Sequence, residues 1–201
     1  ITVTAENETG IFYAMQGIVS LFMPALIGIV ADRWIQAQKL LGICHLLAAM
    51  FMAATGYYAL SAAQVEFSTL FTLYSLSVAF YMPTLALSNS VAYTILEQSG
   101  LDTVKTFPPI RVFGTVGFIV AMLVCDFAGF QASPVQFFQC AFIGILLSLY
   151  AQTLPNCPVS RSQEAKSFSQ RLGLDAFKLF KNKQMALFFI FSMLLGVSLQ
   201  I

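Results

Sequence analysis

The sequence predicts an all-α membrane protein, a polytopic bundle of transmembrane helices, and three observations carry that prediction. Hydrophobic residues make up 58% of the chain and charged residues only 9%, with a mean hydropathy of +0.80. A soluble domain needs about a quarter charged residues to wet its surface. The apolar residues collect in stretches of roughly 20, the length a helix needs to cross a hydrocarbon core about 30 Å thick. Lysine and arginine fall in alternate connections between those stretches. Strand-like alternation is absent, which disfavours a porin-type barrel.

Five stretches are expected to span, and a sixth begins before the chain ends. They run Ile11–Ala31, Leu40–Leu60, Ser68–Tyr93, Phe107–Cys125, Val135–Leu154 and Met185–Ile201. A secretory signal peptide cannot account for several spans of this length, and no basic segment precedes the first. Arg33 and Lys39 lie between the first two spans, and Lys105 between the third and fourth. Arg161, Lys166, Arg171, Lys178, Lys181 and Lys183 precede the last. The N-terminal segment, Ser61–Phe67 and Asp126–Pro134 carry only acids: Glu6, Glu8, Glu66 and Asp126. Basic residues stay cytoplasmic, so the first span runs from outside to inside.

An outward-facing start implies one preceding span, and the absent initiator Met marks the chain as a fragment. With that span, residues 1–154 form most of an N-terminal six-helix half. Residues 155–184, polar and basic with an amphipathic stretch at Leu174–Phe180, form a cytoplasmic linker between halves. Residues 185–201 start the first helix of a C-terminal half. Six helices, a long cytoplasmic linker and further helices is the layout of the major facilitator superfamily.

The first connection reads GIVADRWIQAQK, from Gly28 to Lys39. It resembles the loop signature of that superfamily, Gly-x-x-x-Asp-Arg followed by basic residues. Gly28 permits close approach of helices, and Asp32 beside Arg33 is placed to pair across them, a latch for one state of a carrier. An ordinary charged loop obeying the positive-inside bias is the plainer account.

Arg111 is the basic residue placed within an apolar span, and intramembrane charges are functional candidates by default. If the helix starts at Phe107-Pro108-Pro109, Arg111 snorkels to the interface; if it starts nearer Asp102, Arg111 lies deeper and needs a partner. Arg111, Thr115 and Phe118 recur at i, i+4 and i+7 and share one helix face. A guanidinium, a hydroxyl and an aromatic ring there suit a polar heterocyclic ligand. Gly114 and Gly117 allow close helix packing on neighbouring faces. His45, one turn into the second span, reads as interfacial packing. Cys44, Cys125, Cys140 and Cys157 show no metal-ligand spacing and read as small apolar residues. No P-loop, HExxH or GxSxG is present, so ATP-driven transport and hydrolysis have no support. The expectation is a carrier and not an enzyme, with no metal, cofactor or nucleic-acid partner.

Four stretches, FMPALIGIVADRW (Phe22–Trp34), YMPTLALSN (Tyr81–Asn89), TFPPIRVFGTVGFIVAM (Thr106–Met122) and LGLDAFKLFKNKQMALFFIFSMLLG (Leu172–Gly196), follow one another along the chain. Together they are similar to the bacterial nucleoside:proton symporters of the nucleoside permease type, within the major facilitator superfamily. The resemblance implies a twelve-helix parent of which this chain covers about the second helix to the start of the seventh. It implies a monomeric, multi-pass carrier of the bacterial inner membrane that imports nucleosides with protons by alternating access. The family's arginine, threonine and phenylalanine on the fifth helix match Arg111, Thr115 and Phe118, and its glutamine on the seventh matches Gln200. Two alternatives stay open: a carrier of the same superfamily for another small polar solute such as a sugar, and a non-transporting receptor or scaffold.

Overall fold

The computed structural model describes residues 2–130, 133–158 and 180–198, with 2–8 and 195–198 described by backbone alone. Within residues 1–161 five helices form: α1 (Thr2–Arg33), α2 (Ala37–Ser61), α3 (Phe67–Gln98), α4 (Thr103–Phe127) and α5 (Val135–Ala151). A sixth, α6 (Lys183–Ser198), belongs to a separate unit. No strand occurs among the described residues. The helices α1 to α4 are long and apolar enough to cross a membrane. At 17 residues α5 is shorter than the expected Val135–Leu154, rising about 25 Å. Gln152 and Thr153 follow it in turns closed on the Leu149 and Tyr150 carbonyls.

The helices alternate in direction, as their end-to-end contacts require. Phe12 of α1 meets Phe67, Phe71 and Tyr74 at the start of α3, with ring centroids 5.2–5.6 Å apart. Tyr58, late in α2, accepts the backbone N–H of Glu66 just before α3. Tyr93, late in α3, packs against Phe107, early in α4, at 4.4 Å. The start of α2 lies against the end of α5 and the reverse. Arg33, Lys39 and Lys105 therefore fall at one end of the bundle, and Glu66 and Asp126 at the other, which is the sidedness the connections predict.

The tight part of the bundle is α2 against α3 and α5, with α1 laid on α3. Three glycines set the α2–α5 distance. A Cβ at Gly42 would strike the Gln152 amide and stand 3.0 Å from the Ser148 carbonyl oxygen. One at Gly56 would stand 2.9 Å from the Phe138 ring, and one at Gly144 2.9 Å from the Ala49 Cβ. Small residues matter here because lipid chains are as apolar as leucine, so helices associate through close packing. Gly114 and Gly117, expected to serve this purpose, have nothing within 4 Å of an added Cβ among the described residues.

Several hydroxyls within the spans are satisfied locally. Thr55, fully buried, donates to the Phe51 carbonyl at 2.8 Å, and Thr72 and Thr94 donate to carbonyls four residues back. Ser77 instead crosses from α3 to the Ala48 carbonyl of α2 at 2.8 Å. In the second unit, Asn182 caps α6 by accepting the Gln184 N–H at 3.0 Å, and Phe180 stacks on Phe189. That onset lies two residues before the expected Met185.

Candidate functional site

The start of α4 decides how deep Arg111 lies. Asp102 takes the N-cap position, its carboxylate accepting the Val104 N–H at 3.0 Å. The carboxylate also stands 3.8 Å from the Lys105 ammonium. The helix thus begins at Thr103, four residues before the expected Phe107, and Pro108 and Pro109 lie inside its second turn. Lacking N–H groups, they leave the Val104 and Lys105 carbonyls without intrahelical donors. Arg111 is the ninth helical residue, about 12 Å along the axis from the first. Among the described residues its guanidinium has no acid and no hydrogen-bond partner.

Thr115 and Phe118 follow on the same stripe, about 6 and 10 Å further along. All three side chains are exposed, and Phe118 is 64% so. Indeed α4 buries no residue at all, and it touches the rest of its unit chiefly through α3. The helix offers a face bearing a cation, a hydroxyl and a ring, with the complementary wall absent from the described residues. The expected fourth member, Gln200, lies outside them, as does the stretch 159–179 of the expected linker.

The loop signature is more helical than its name suggests. Gly28, Asp32 and Arg33 form the last turns of α1, Ala37–Lys39 open α2, and only residues 34–36 connect them. Trp34 and Ile35 N–H groups both bond the Val30 carbonyl, at 3.0 and 3.2 Å, and close the turn. Arg33 sits where a cation complements the helix C-terminus. Asp32 and Arg33 are exposed, Asp32 has no ion-pair partner among the described residues, and a Cβ at Gly28 would meet nothing within 4 Å. Asp32 and Arg33 are thus presented outward, and the described residues of this unit supply no counterpart.

His45 was expected at the interface, one turn in. It is instead the ninth residue of α2, and its ring faces Tyr81 of α3 at 6.5 Å. With Gln16, Tyr74, Ser77 and Cys140 it lines a cavity of about 360 Å³ between α1, α2, α3 and α5. The apolar flanks of His45 hid this depth, since periodicity places a residue on a face and leaves the helix start loose. Among the described residues no group of three or more His, Cys, Asp or Glu stands close enough to hold a metal ion.

Comparisons with known proteins bear on the whole chain. A family model described as Nucleoside H+ symporter matches residues 1–201. Nucleoside permease NupG of Escherichia coli (strain K12) is 48% identical over 195 residues, which are 96% of this chain and 44% of that protein. The xanthosine permease of the same organism is 45% identical over 194 residues, covering 96% and 45%. Two crystal structures of the nucleoside transporter NupG superpose with TM-scores of 0.81, for a mutant form, and 0.75. Both are 44% identical over 96% of this chain and 46% of theirs. The chain spans about half the length of the relatives it matches.

Proposed function

Since this chain belongs to the nucleoside H+ symporter family, we propose that it supplies most of the N-terminal half of a secondary transporter that imports nucleosides together with protons. The observation that carries the reading is the α4 stripe. Arg111 stands two turns inside an apolar helix, unpartnered among the described residues, with Thr115 and Phe118 beside it. A cation at membrane depth needs a hydrogen-bonding partner, because transfer from water without one is costly. A nucleoside answers all three groups: base or ribose acceptors for Arg111, a hydroxyl partner for Thr115 and a base face for Phe118. Gln200 would complete the site from the seventh helix.

In this reading residues 1–154 belong to the first half, 155–184 form the cytoplasmic connection and 185–201 open the second half. Nucleoside and proton bind from outside, the halves rock about the central site, and both leave inward. Gly28, Asp32 and Arg33 latch the cytoplasmic face against the second half. Among the residues described with side chains, the acids Asp32, Glu66, Glu97, Asp102 and Asp126 all stand at or beside helix ends. In this reading the proton-coupling acid belongs to the second half. The carrier acts as a monomer in the bacterial inner membrane.

Uptake of labelled uridine by cells devoid of their own nucleoside carriers tests the proposal. Uptake that rises on expressing the full-length transporter, collapses with a protonophore and is competed by other nucleosides but not by hexoses is expected. Competition by hexoses alone, or no uptake with the protein in the membrane, refutes it.

A further inference from the structure

The residue of the first connection that the gating motif leaves unused is Gln38. It is the second residue of α2, at the end of the bundle, where a long polar side chain ordinarily reaches water. Here it is 2% exposed. Its Nε2 donates to Asn156 Oδ1 and to Gln36 Oε1, both at 3.2 Å, and its Oε1 accepts the Cys157 N–H at 3.1 Å. Gln98, the last residue of α3, donates from Nε2 to the Asn156 carbonyl at 3.1 Å. The side chain of Cys157 is 3% exposed and packs in one apolar cluster with Leu40, Leu41 and Cys44 of α2, Leu87 and Val91 of α3 and Ala151 of α5.

Helix termination does not require this arrangement. The turns after α5 are already closed on Leu149 and Tyr150, three or more residues before Asn156. Pro155 and Pro158 bracket the pair and restrict its backbone. A buried amide whose donor and acceptor are both satisfied stabilises one arrangement of the chain, because any other leaves a polar group dry and unpaired. The contacts join residues 118 and 119 positions apart in sequence, so they are tertiary.

We propose that Gln38, Gln98, Asn156 and Cys157 form a polar clamp that fixes the chain leaving α5 to the neighbouring ends of α2 and α3. The first residues of the connecting stretch then move as a rigid part of this half. That consequence for transport rests on reading the chain as half of a carrier; the clamp itself does not.

Thiol labelling reads the clamp directly. In the full-length transporter with Cys157 kept and the other cysteines replaced, N-ethylmaleimide in everted vesicles should label Cys157 far more slowly than an exposed control, Ser99→Cys. Gln38→Ala removes both the amide donor and the acceptor and should speed labelling about tenfold or more; Asn156→Ala, at an exposed side chain, should speed it about threefold. Labelling of the parent as fast as the control overturns the clamp, and so does a Gln38→Ala rate within twofold of the parent. Should Gln38→Ala fail to reach the membrane, Asn156→Ala decides by the same twofold limit. The measurement needs no substrate, so absent uridine uptake leaves it readable, and a failed clamp leaves the nucleoside reading untouched.

Discussion

Replacing Arg111 separates a ligand-binding guanidinium from one that merely reaches for the interface. The residue lies six positions beyond Lys105, whose side chain is 86% exposed, and so about 9 Å deeper along α4. An extended arginine or lysine of roughly 6–7 Å does not return its head to that level. Losing a charged hydrogen-bond partner from a desolvated site costs about 1.5–3 kcal/mol, or roughly ten- to a hundredfold in affinity. Arg111→Ala should show the full loss. Arg111→Lys should recover only part of it, because an ammonium keeps the charge and loses the planar fork that grips two acceptors. Calorimetric titration of uridine into the purified full-length transporter and both variants measures this. A snorkelling arginine predicts that Arg111→Lys is silent, and affinity within twofold of the parent in both variants removes Arg111 from the site.

Three further outcomes follow from the same geometry. In a Cys-less full-length background, Ala63→Cys between α2 and α3 should label from outside and Ser99→Cys after α3 from inside; labelling of both from one side breaks the alternation. Gly144→Val forces branched carbons into the space 2.9 Å from Ala49 Cβ and should cost about 1–3 kcal/mol, read as a lowered melting midpoint, whereas an unchanged midpoint means the α2–α5 contact is looser than described. Asp32→Asn, far from the α4 stripe, should lower uridine turnover while leaving calorimetric affinity near the parent's; unchanged turnover reduces Asp32 to a topogenic charge.

The sequence made the helix count, their directions and the α4 stripe legible, because each depends on composition or on a fixed period. Arg33, Lys39 and Lys105 mark one end of the bundle whatever the packing, and i, i+4, i+7 spacing puts Arg111, Thr115 and Phe118 on one face of any helix. Helix starts were less legible. The Pro108-Pro109 pair left two starts open, at Phe107 or nearer Asp102, and the Asp102 cap with its 3.0 Å bond to Val104 selects the second, four residues earlier, with the prolines inside the helix. Which glycines touch was not legible either. Gly114 and Gly117 stand close together on one helix and have open surroundings, whereas Gly42, Gly56 and Gly144 are isolated in sequence and set the closest approaches. That distinction depends on which helix lies opposite, and no one-dimensional pattern carries it. The Gln38 clamp was invisible for the same reason: its partners stand more than a hundred residues away.

How polar groups are satisfied divides the bundle in a way that bears on function. Hydrocarbon offers no hydrogen bonds, so a polar atom at membrane depth must find its partner in protein, substrate or a watered cavity. Thr55, Thr72, Thr94 and Ser77 find theirs on helix carbonyls. Ser75 Oγ on α3 and Gln139 Oε1 on α5 are buried without one among the described residues. Among the described residues Arg111 is unpartnered as well, on a helix that its own unit hardly touches. The unmet groups thus lie one each on α3, α4 and α5. A scaffold without turnover has no reason to carry a costly cation on its least packed helix. In the reading proposed above a carrier does, since a guanidinium without a partner among the described residues can bind a solute that brings the acceptors.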